Sequence, residues 1–414
     1  MTEKIFGLIG RTLKHSWSVP IHHELGCKSY QLIELEPEEL GPFLGEKLIG
    51  GLNVTIPYKK AVIPYCASID PYAEAIGSVN TLTADADGNL RGYNTDALGL
   101  SYIAKRSGIS FRNAKVVILG SGGTSLTAQA VSRQEGAKNV IVISRSGEDN
   151  YANLKNHKDA DILINTTPVG MFPNNGESAV DLYNFPKLKG VLDVIYNPRR
   201  TALLMQAEQL GIPHCGGLPM LVAQAVAAEE KFFGKPIPEN QIERIASILQ
   251  RNMTNIVLIG MPGSGKSVVG ACLEEITGRT SIDIDAEIVK KAGCAIPEIF
   301  KNAGEDGFRV LESEIVLDAG KNSGKIIITG GGVVTRPENY APLHQNGRIY
   351  QLDRDLSKLP IEGRPLSQQT APAELARRRA PLYESFRDFL VDNNGTVRKT
   401  AEMIWRDFNE NNGD

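Results

Sequence analysis

The chain has 414 residues. A single hydrophobic core stops growing near roughly 250–300 residues, so two or three domains are expected. Its 45 basic and 48 acidic side chains leave a net charge of −3, which offers no electrostatic footprint for nucleic acid or an anionic membrane, and the longest apolar runs are strand-sized, well short of the ~18 residues of a membrane span.

The predicted elements begin with a strand, "KIFGLIG" at 4–10. This N-terminus reads as neither a cleavable signal nor an Arg/Ser-rich presequence. Cys27, Cys66, Cys215, Cys272 and Cys294 are scattered without a C-x-x-C pair. That fits reduced thiols in a cytoplasmic protein and gives zinc no ligand spacing. Four stretches follow: "KHSWSVPIHH", "GLNVTIPYKK", "GSVNTL" and "GYNTDALGL". Each puts hydroxyls, amides or one charge at a strand end or turn. Singly they read as turn chemistry. Together they suit a ligand with several hydroxyls and a carboxylate.

Next comes the strand "AKVVILG", the turn "GSGGTS" at 120–125 and the helix "SLTAQAVSRQEG", which ends on a glycine. Gly120 permits the tight turn, Gly122 permits close approach of a pyrophosphate, and the helix start faces the anion. Ser125 stands where a third glycine is usual. The following strand, "NVIVIS", runs into Ser144-Arg145-Ser146. An acidic residue there would accept from a ribose 2′-hydroxyl; an arginine among hydroxyls suits a 2′-phosphate, so NADP is expected. The strands "DILINTT" and "GVLDVIY" complete an alternating α/β pattern.

These stretches, with "NTTPVGM", "DVIYNP" and "GGLPMLVAQA", resemble shikimate dehydrogenase from about residue 4 to 251. The resemblance implies an α/β substrate lobe at 1–97, completed by helices at 218–251, and a Rossmann NADP lobe at 98–217. It implies that Ser16 and Ser18 bind the substrate carboxylate, and that Thr55, Asn80 and Gln224 bind hydroxyls. Lys59 and Asp96 would be the catalytic pair. Gly120, Ser121, Gly122, Gly123 and Thr124 would wrap the pyrophosphate. Ser144, Arg145 and Ser146 would meet the 2′-phosphate, and Tyr196 and Gly217 would lie near the nicotinamide. The family usually has Asn-Arg-Thr at 144–146; the arginine is kept. The residue types suit the chemistry. Reducing a ketone with hydride leaves an oxyanion that needs a proton and a positive charge, and Lys59 can supply both. Asp96 can orient it, though a carboxylate neighbour favours the charged lysine, and which group moves the proton stays open. Read without the resemblance, Lys59 is equally a solvated lysine and Asp96 equally a helix N-cap.

A boundary is expected near 252. "PIPENQIERIASILQRN" reads as a closing helix, and Met253 stands where an independent protein would start, with no Gly/Ser spacer. The strand "NIVLIG" then leads into "GMPGSGKS" at 260–267, which fits G-x-x-x-x-G-K-[ST]. The backbone of Gly260, Gly263, Ser264 and Gly265 holds phosphates, Lys266 reaches the β/γ oxygens, and Ser267 ligates Mg²⁺. "SIDIDAEI" puts Asp283 and Asp285 two apart at a strand end, one for Mg²⁺ and one for a substrate hydroxyl. "GEDGFRVLES" brings Arg309. "KIIITGG" is a strand whose continuation, Gly330 to Gly332, brings bare backbone close to a ligand. "EGRPLS" brings Arg364, and "RRRAPLYESF" brings Arg379.

The second set resembles shikimate kinase over about 254–408, within a P-loop domain at 254–414. It implies that Asp283 assists Mg²⁺, that Asp285, Arg309, Gly331 and Arg379 hold shikimate with Asp285 at the attacking hydroxyl, and that Arg364, on a lid, meets the transferring phosphate. Arg377 and Arg378 keep the reading of a solvated face. The two resemblances imply NADPH-dependent reduction of 3-dehydroshikimate to shikimate and ATP/Mg²⁺-dependent phosphorylation of that product, in a cytoplasmic enzyme with no nucleic-acid or membrane partner. Oligomeric state is left open. Two rivals are weighed: a quinate/shikimate dehydrogenase that uses NAD, and a metabolite-sensing regulator without turnover. Ser16, Ser18 and Arg145 speak against the first; the presence of Lys59, Asp96, Lys266, Asp285 and Arg379 speaks against the second.

The segment from Leu352 to Arg364 is shorter than the family's, and "LPIEG" breaks helix. The expected lid is small and leaves the base partly open. Phosphate contacts are common to all nucleoside triphosphates. GTP or CTP should therefore support phosphorylation with kcat/KM within roughly tenfold of ATP, about 1.4 kcal/mol. A thousandfold preference for ATP in the same assay would mean that another segment encloses the base.

Overall fold

The structure, a computed structural model, describes residues 4–13, 16–46, 48–359 and 372–411. It divides into two compact units. Residues Met1–Gly170, Ser178–Tyr196 and Leu203–Ala246 form the first; Met171–Glu177, Asn197–Ala202 and Ser247–Asp414 form the second. Among the described residues no helix is long and apolar enough to cross a membrane.

The first unit holds two sheets. One contains β1 (Ile5–Gly10), β2 (Gln31–Glu34), β3 (Ile49–Val54), β4 (Ser68–Ile69), β5 (Thr81–Ala84) and β6 (Leu90–Tyr93), in the order β2-β1-β3-β5-β6-β4. It is mixed: β1 pairs in parallel with β2 and β3, and β5 is antiparallel to β3 and β6. The second sheet is parallel throughout, β7 (Lys115–Leu119), β8 (Asn139–Ile143), β9 (Ile162–Asn165), β10 (Gly190–Asp193) and β11 (His214–Cys215), in the order β11-β10-β9-β7-β8. Every residue of β9 and β10 is buried, as the continuous apolar runs of a strand covered on both faces require. Leu52, Val54 and Leu82 centre one core; Val116, Ile118 and Ile164 face another, against Leu100, Ile103 and Val131.

The second unit has one parallel sheet, β12 (Asn255–Ile259), β13 (Ser281–Asp283), β14 (Ile326–Ile328), β15 (Gly347–Asp353) and β16 (Phe389–Asp392), in the order β13-β14-β12-β15-β16. The alternation of apolar strands and amphipathic helices predicts this α/β class, and seven expected strands are present. The closing helix, Asn240–Met253, runs one residue past its expected end and buries Met253. The helix after the first glycine turn, Gly123–Gln134, is followed by Gly136 at φ 88°, a left-handed position that favours glycine after a helix end.

Candidate functional sites

In the first unit the strand ends converge on one polar cluster. Thr55 follows β3, and its N–H donates to the Ile9 carbonyl (3.0 Å). A tight turn then presents Lys59, whose Nζ donates to Asp96 Oδ2 (2.5 Å). Asp96 opens the helix Asp96–Arg106 and does not cap it; Asn94 Oδ1 does, accepting the Ala97 N–H (3.2 Å). Its other oxygen accepts from Asn80 Nδ2 (2.8 Å). Asn80 Oδ1 in turn accepts from the Thr95 N–H (2.7 Å) and the Thr81 hydroxyl (3.1 Å), so the amide is oriented with its NH₂ toward Asp96. Lys59 and Asp96 are about one-seventh exposed or less, while Lys60 is exposed. Ser16 donates to Ser18 Oγ (3.1 Å), and Ser18 is buried in the first turn of its helix. Gln224 is buried, and its Nε2 donates to the Leu221 carbonyl (2.9 Å). Gln224 stands on the helix Gly217–Phe233, which comes so close to Gly99 that a Cβ there would lie 2.7 Å from the Met220 carbonyl oxygen.

The first glycine loop sits at the end of β7. Gly120 has φ 104°, open to glycine, and its N–H donates to the Ile143 carbonyl (2.8 Å) at the end of β8. Thr166, which the sequence did not single out, closes the underside: its hydroxyl donates to the Leu119 carbonyl (2.7 Å). Gly122 precedes the helix Gly123–Gln134, whose start has no side-chain cap, and a Cβ on Gly122 would meet nothing within 4 Å. Gly123 faces the polar cluster: a Cβ on it would lie 3.7 Å from Lys59 Cδ. Ser121 and Thr124 flank these glycines. Ser144, Arg145 and Ser146 leave β8 beside the turn. Arg145 is exposed and makes no hydrogen bond or ion pair among the described residues. Burial pushes the nearby Tyr151 phenol up, against the pull of the Arg145 charge. Tyr196 lies just past β10, its phenol pushed up by burial. Gly217 packs where a Cβ would meet the Val194 carbonyl oxygen at 2.1 Å. An open anion-facing helix start and an unpaired arginine fit a phosphorylated dinucleotide.

In the second unit the phosphate loop follows the central strand β12. Gly260, Gly263 and Gly265 all have positive φ. Lys266 is buried and donates to the Gly260 (2.8 Å) and Met261 (3.0 Å) carbonyls. The Ser264 carbonyl accepts from Asn393 Nδ2 (2.5 Å). Asp283 caps the helix Ile284–Ala292 through Oδ1, which accepts the Asp285 (3.0 Å) and Ala286 (3.2 Å) N–H groups. Its Oδ2 faces the Ser267 hydroxyl at 3.5 Å. No group of three or more His, Cys, Asp or Glu among the described residues could hold a metal ion. Ser267 and Asp283 instead offer two oxygens, which suits Mg²⁺ shared with phosphates and water.

Gly263, Gly265, Lys266, Ser267 and Asp283 line a cavity of about 470 Å³ with Asp285, Arg309, Glu312, Gly330 to Gly332, Arg354 and Arg379. Burial raises the pKa of Asp285, helped by Asp283 and opposed by Lys266 and Arg309. Arg309 is buried and pairs with Glu312 (2.7 Å), which is fully buried, and with Glu305 (3.2 Å). The sequence reading missed Glu312, although its i, i+3 spacing from Arg309 is a pairing signal. Arg379 is buried and donates to the Gly331 carbonyl (2.9 Å). Arg377 and Arg378 are exposed, and Arg377 pairs with Glu374. Phe300 and Phe308, stacked at 4.8 Å across a break at Gly304, form an apolar wall. The bare backbone at 330–332 is needed first by the protein's own groups: a Cβ on Gly330 would lie 2.9 Å from Asp285 Oδ1, and one on Gly332 2.0 Å from Arg309 Nη2. Arg364 and the short segment around it lie outside the described residues.

The chain is similar to known proteins in both parts. The family model for the shikimate dehydrogenase substrate binding domain matches residues 8–82, and that for shikimate kinase matches residues 262–408. A shikimate dehydrogenase (NADP(+)) of Clostridium beijerinckii is 37% identical over 246 residues, which are 55% of this chain and 91% of that protein. Among solved structures, a chorismate mutase/shikimate 5-dehydrogenase fusion protein from Clostridium acetobutylicum is similar with TM-score 0.57 and 35% identity, covering 60% of this chain and 97% of that one. The Thermus thermophilus shikimate 5-dehydrogenase, solved with NADP(H) and shikimate, is similar with TM-score 0.52 and 27% identity, covering 59% and 98%.

The Gly332 contact gives a test of the second cavity. Gly332→Ala must displace the Arg309 guanidinium. Retained protein fold with an anion affinity of the cavity lowered by about tenfold or more is expected, measured by calorimetric titration with shikimate. Unchanged affinity would remove Arg309 from the ligand.

Proposed function

The chain belongs to the shikimate dehydrogenase family and carries a shikimate kinase domain fused behind it, and from that premise we propose that it reduces 3-dehydroshikimate to shikimate and then phosphorylates shikimate at the 3-hydroxyl. NADPH would supply the hydride, and ATP with Mg²⁺ the phosphoryl group. The contact that supports the first step most directly is Lys59 to Asp96, 2.5 Å long, beside the glycine turn at Gly123.

In the dehydrogenase, Lys59 donates a proton to the ketone oxygen as negative charge develops there. Asp96 holds the ammonium aimed. Ser16 and Ser18 bind the carboxylate of the substrate; Thr55, Asn80 and Gln224 bind its hydroxyls. Asn80 Nδ2 donates to Asp96 and has a second hydrogen for the substrate. Arg145 meets the 2′-phosphate of the cofactor, between Ser144 and Ser146.

In the kinase, Asp285 receives the proton of the attacking hydroxyl. Arg309 and Arg379 hold the carboxylate, with the Gly331 backbone close by. Lys266 exchanges its loop carbonyls for the β/γ-phosphate oxygens. Ser267 and Asp283 hold Mg²⁺.

Each half has its own acid–base set, so the activities should separate. Lys59→Ala should abolish NADPH-dependent reduction and leave phosphorylation of added shikimate near normal; Lys266→Ala should do the reverse. Loss of both activities from either change in a folded protein would sink the assignment.

The raised pKa of Asp285 sets a pH limit. A carboxyl whose pKa is raised stays protonated, and useless as a base, to a higher pH than an ordinary aspartate. Kinase kcat/KM for shikimate should fall on acidification at a pH above the usual aspartate range, with the acid limb absent from the residual activity of Asp285→Asn. A limb in the ordinary aspartate range, or one kept in Asp285→Asn, would take the base role from Asp285.

A further inference from the structure

Arg354 is the first residue past β15, and neither the phosphate-loop motif nor the family resemblance gives it a role. β15 pairs in parallel with β12, Ile259 opposite Gln351, so the chain leaving β15 emerges beside the loop leaving β12. The approach is close: a Cβ on Gly260 would lie 2.7 Å from the Leu352 carbonyl oxygen. Arg354 lines the same cavity as Lys266, Asp285 and Arg379. Its Nη1 lies 3.4 Å from where a Cβ on Gly265 would stand, at the start of the helix Lys266–Thr277. Its Nε is buried and meets no acceptor. Among the described residues Arg354 makes no hydrogen bond or ion pair. The neighbouring carboxylate of Asp355 is already used, accepting from the N–H (2.9 Å) and hydroxyl (2.8 Å) of Ser357.

We propose that Arg354 binds the phosphate chain of the nucleotide, donating from its guanidinium at the Gly265 turn. This rests on the reading of the second unit as an ATP-dependent kinase. A guanidinium presents several donors in a rigid plane that matches phosphate oxygens. A buried N–H left without an acceptor is unfavourable, and a phosphate oxygen would satisfy it. The side chain starts from the end of a core strand, so its backbone is already fixed before the nucleotide arrives and little ordering remains to be done. The contact reads phosphate rather than base.

Calorimetric titration of the full chain with ADP, pyrophosphate and adenosine tests this. Arg354→Ala should lose about tenfold or more in affinity for ADP and pyrophosphate, with adenosine unchanged. Arg354→Lys, which keeps the charge and loses the fork, should recover part of the loss. KM for ATP should rise in both variants while KM for shikimate and the NADPH-dependent activity hold. Unchanged ADP affinity in Arg354→Ala overturns the proposal, as does an equal loss for adenosine, which would place the arginine at the base. Wild-type protein that binds neither ADP nor pyrophosphate would instead overturn the kinase reading beneath it.

Discussion

Both glycine loops depend on the order of strands in a parallel sheet. β7 lies between β9 and β8, and β12 lies between β14 and β15. Where successive connections leave a central strand in opposite directions, a crevice opens at the carboxyl ends. Gly120, Ser144 and Thr166 leave β7, β8 and β9 at that edge. Gly260, Asp283, Thr329 and Arg354 leave β12, β13, β14 and β15 at the corresponding edge. Residues up to about a hundred positions apart become neighbours because the ladders align them. A slip of one residue in any pair would turn a strand's side chains to the opposite face, and the loops it launches would no longer meet.

The second site also shows what a buried charge demands. Arg309, Glu312 and Arg379 are each at most 5% exposed. An ion taken out of water is tolerated when it is paired and hydrogen-bonded, and removing one partner of such a pair typically costs about 3–5 kcal/mol. Arg309 has Glu312 and Glu305; Arg379 has the Gly331 carbonyl. Burial lowers the pKa of the Arg379 guanidinium and raises that of the Glu312 carboxyl. The cluster's charges are thus held in place by the protein's own groups, which is the condition under which fixed charges act strongly on a reacting group.

The sequence made the strands, the two glycine loops and most residues of both sites legible, because each carries a local signal: an apolar run, a spaced glycine, a hydroxyl at a strand end. It did not reveal why the chain needs Gly332, since the reason is a guanidinium from a distant helix. Glu312 was readable in principle from its spacing to Arg309. Arg354 was not, since "LDRD" looks like any solvated strand end, and only the β12–β15 pairing brings it to the phosphate loop. Asp96 was ambiguous between cap and site. The structure puts it one position inside the helix, where its carboxylate is engaged by Lys59 and Asn80, and Asn94 takes the capping role.

That placement bears on how the proton moves in the proposed reduction. Asn80 Oδ1 accepts from Thr95 N–H, Thr95 hydroxyl and Thr81 hydroxyl. A carbonyl oxygen so occupied fixes the amide, and the NH₂ it leaves must face an acceptor. Asp96 Oδ1 meets it as the acceptor. Oδ2 faces the Lys59 ammonium. An ionised carboxylate accepts only, whereas an ammonium has three donors, of which Asp96 uses one. Within the pair, Lys59 alone then has a proton to give to a developing alkoxide. Asn80, through the direction of its amide, holds the Asp96 carboxylate in place beside the lysine. In the proposed reduction the three threonine donors behind it would therefore help to hold the pair in place.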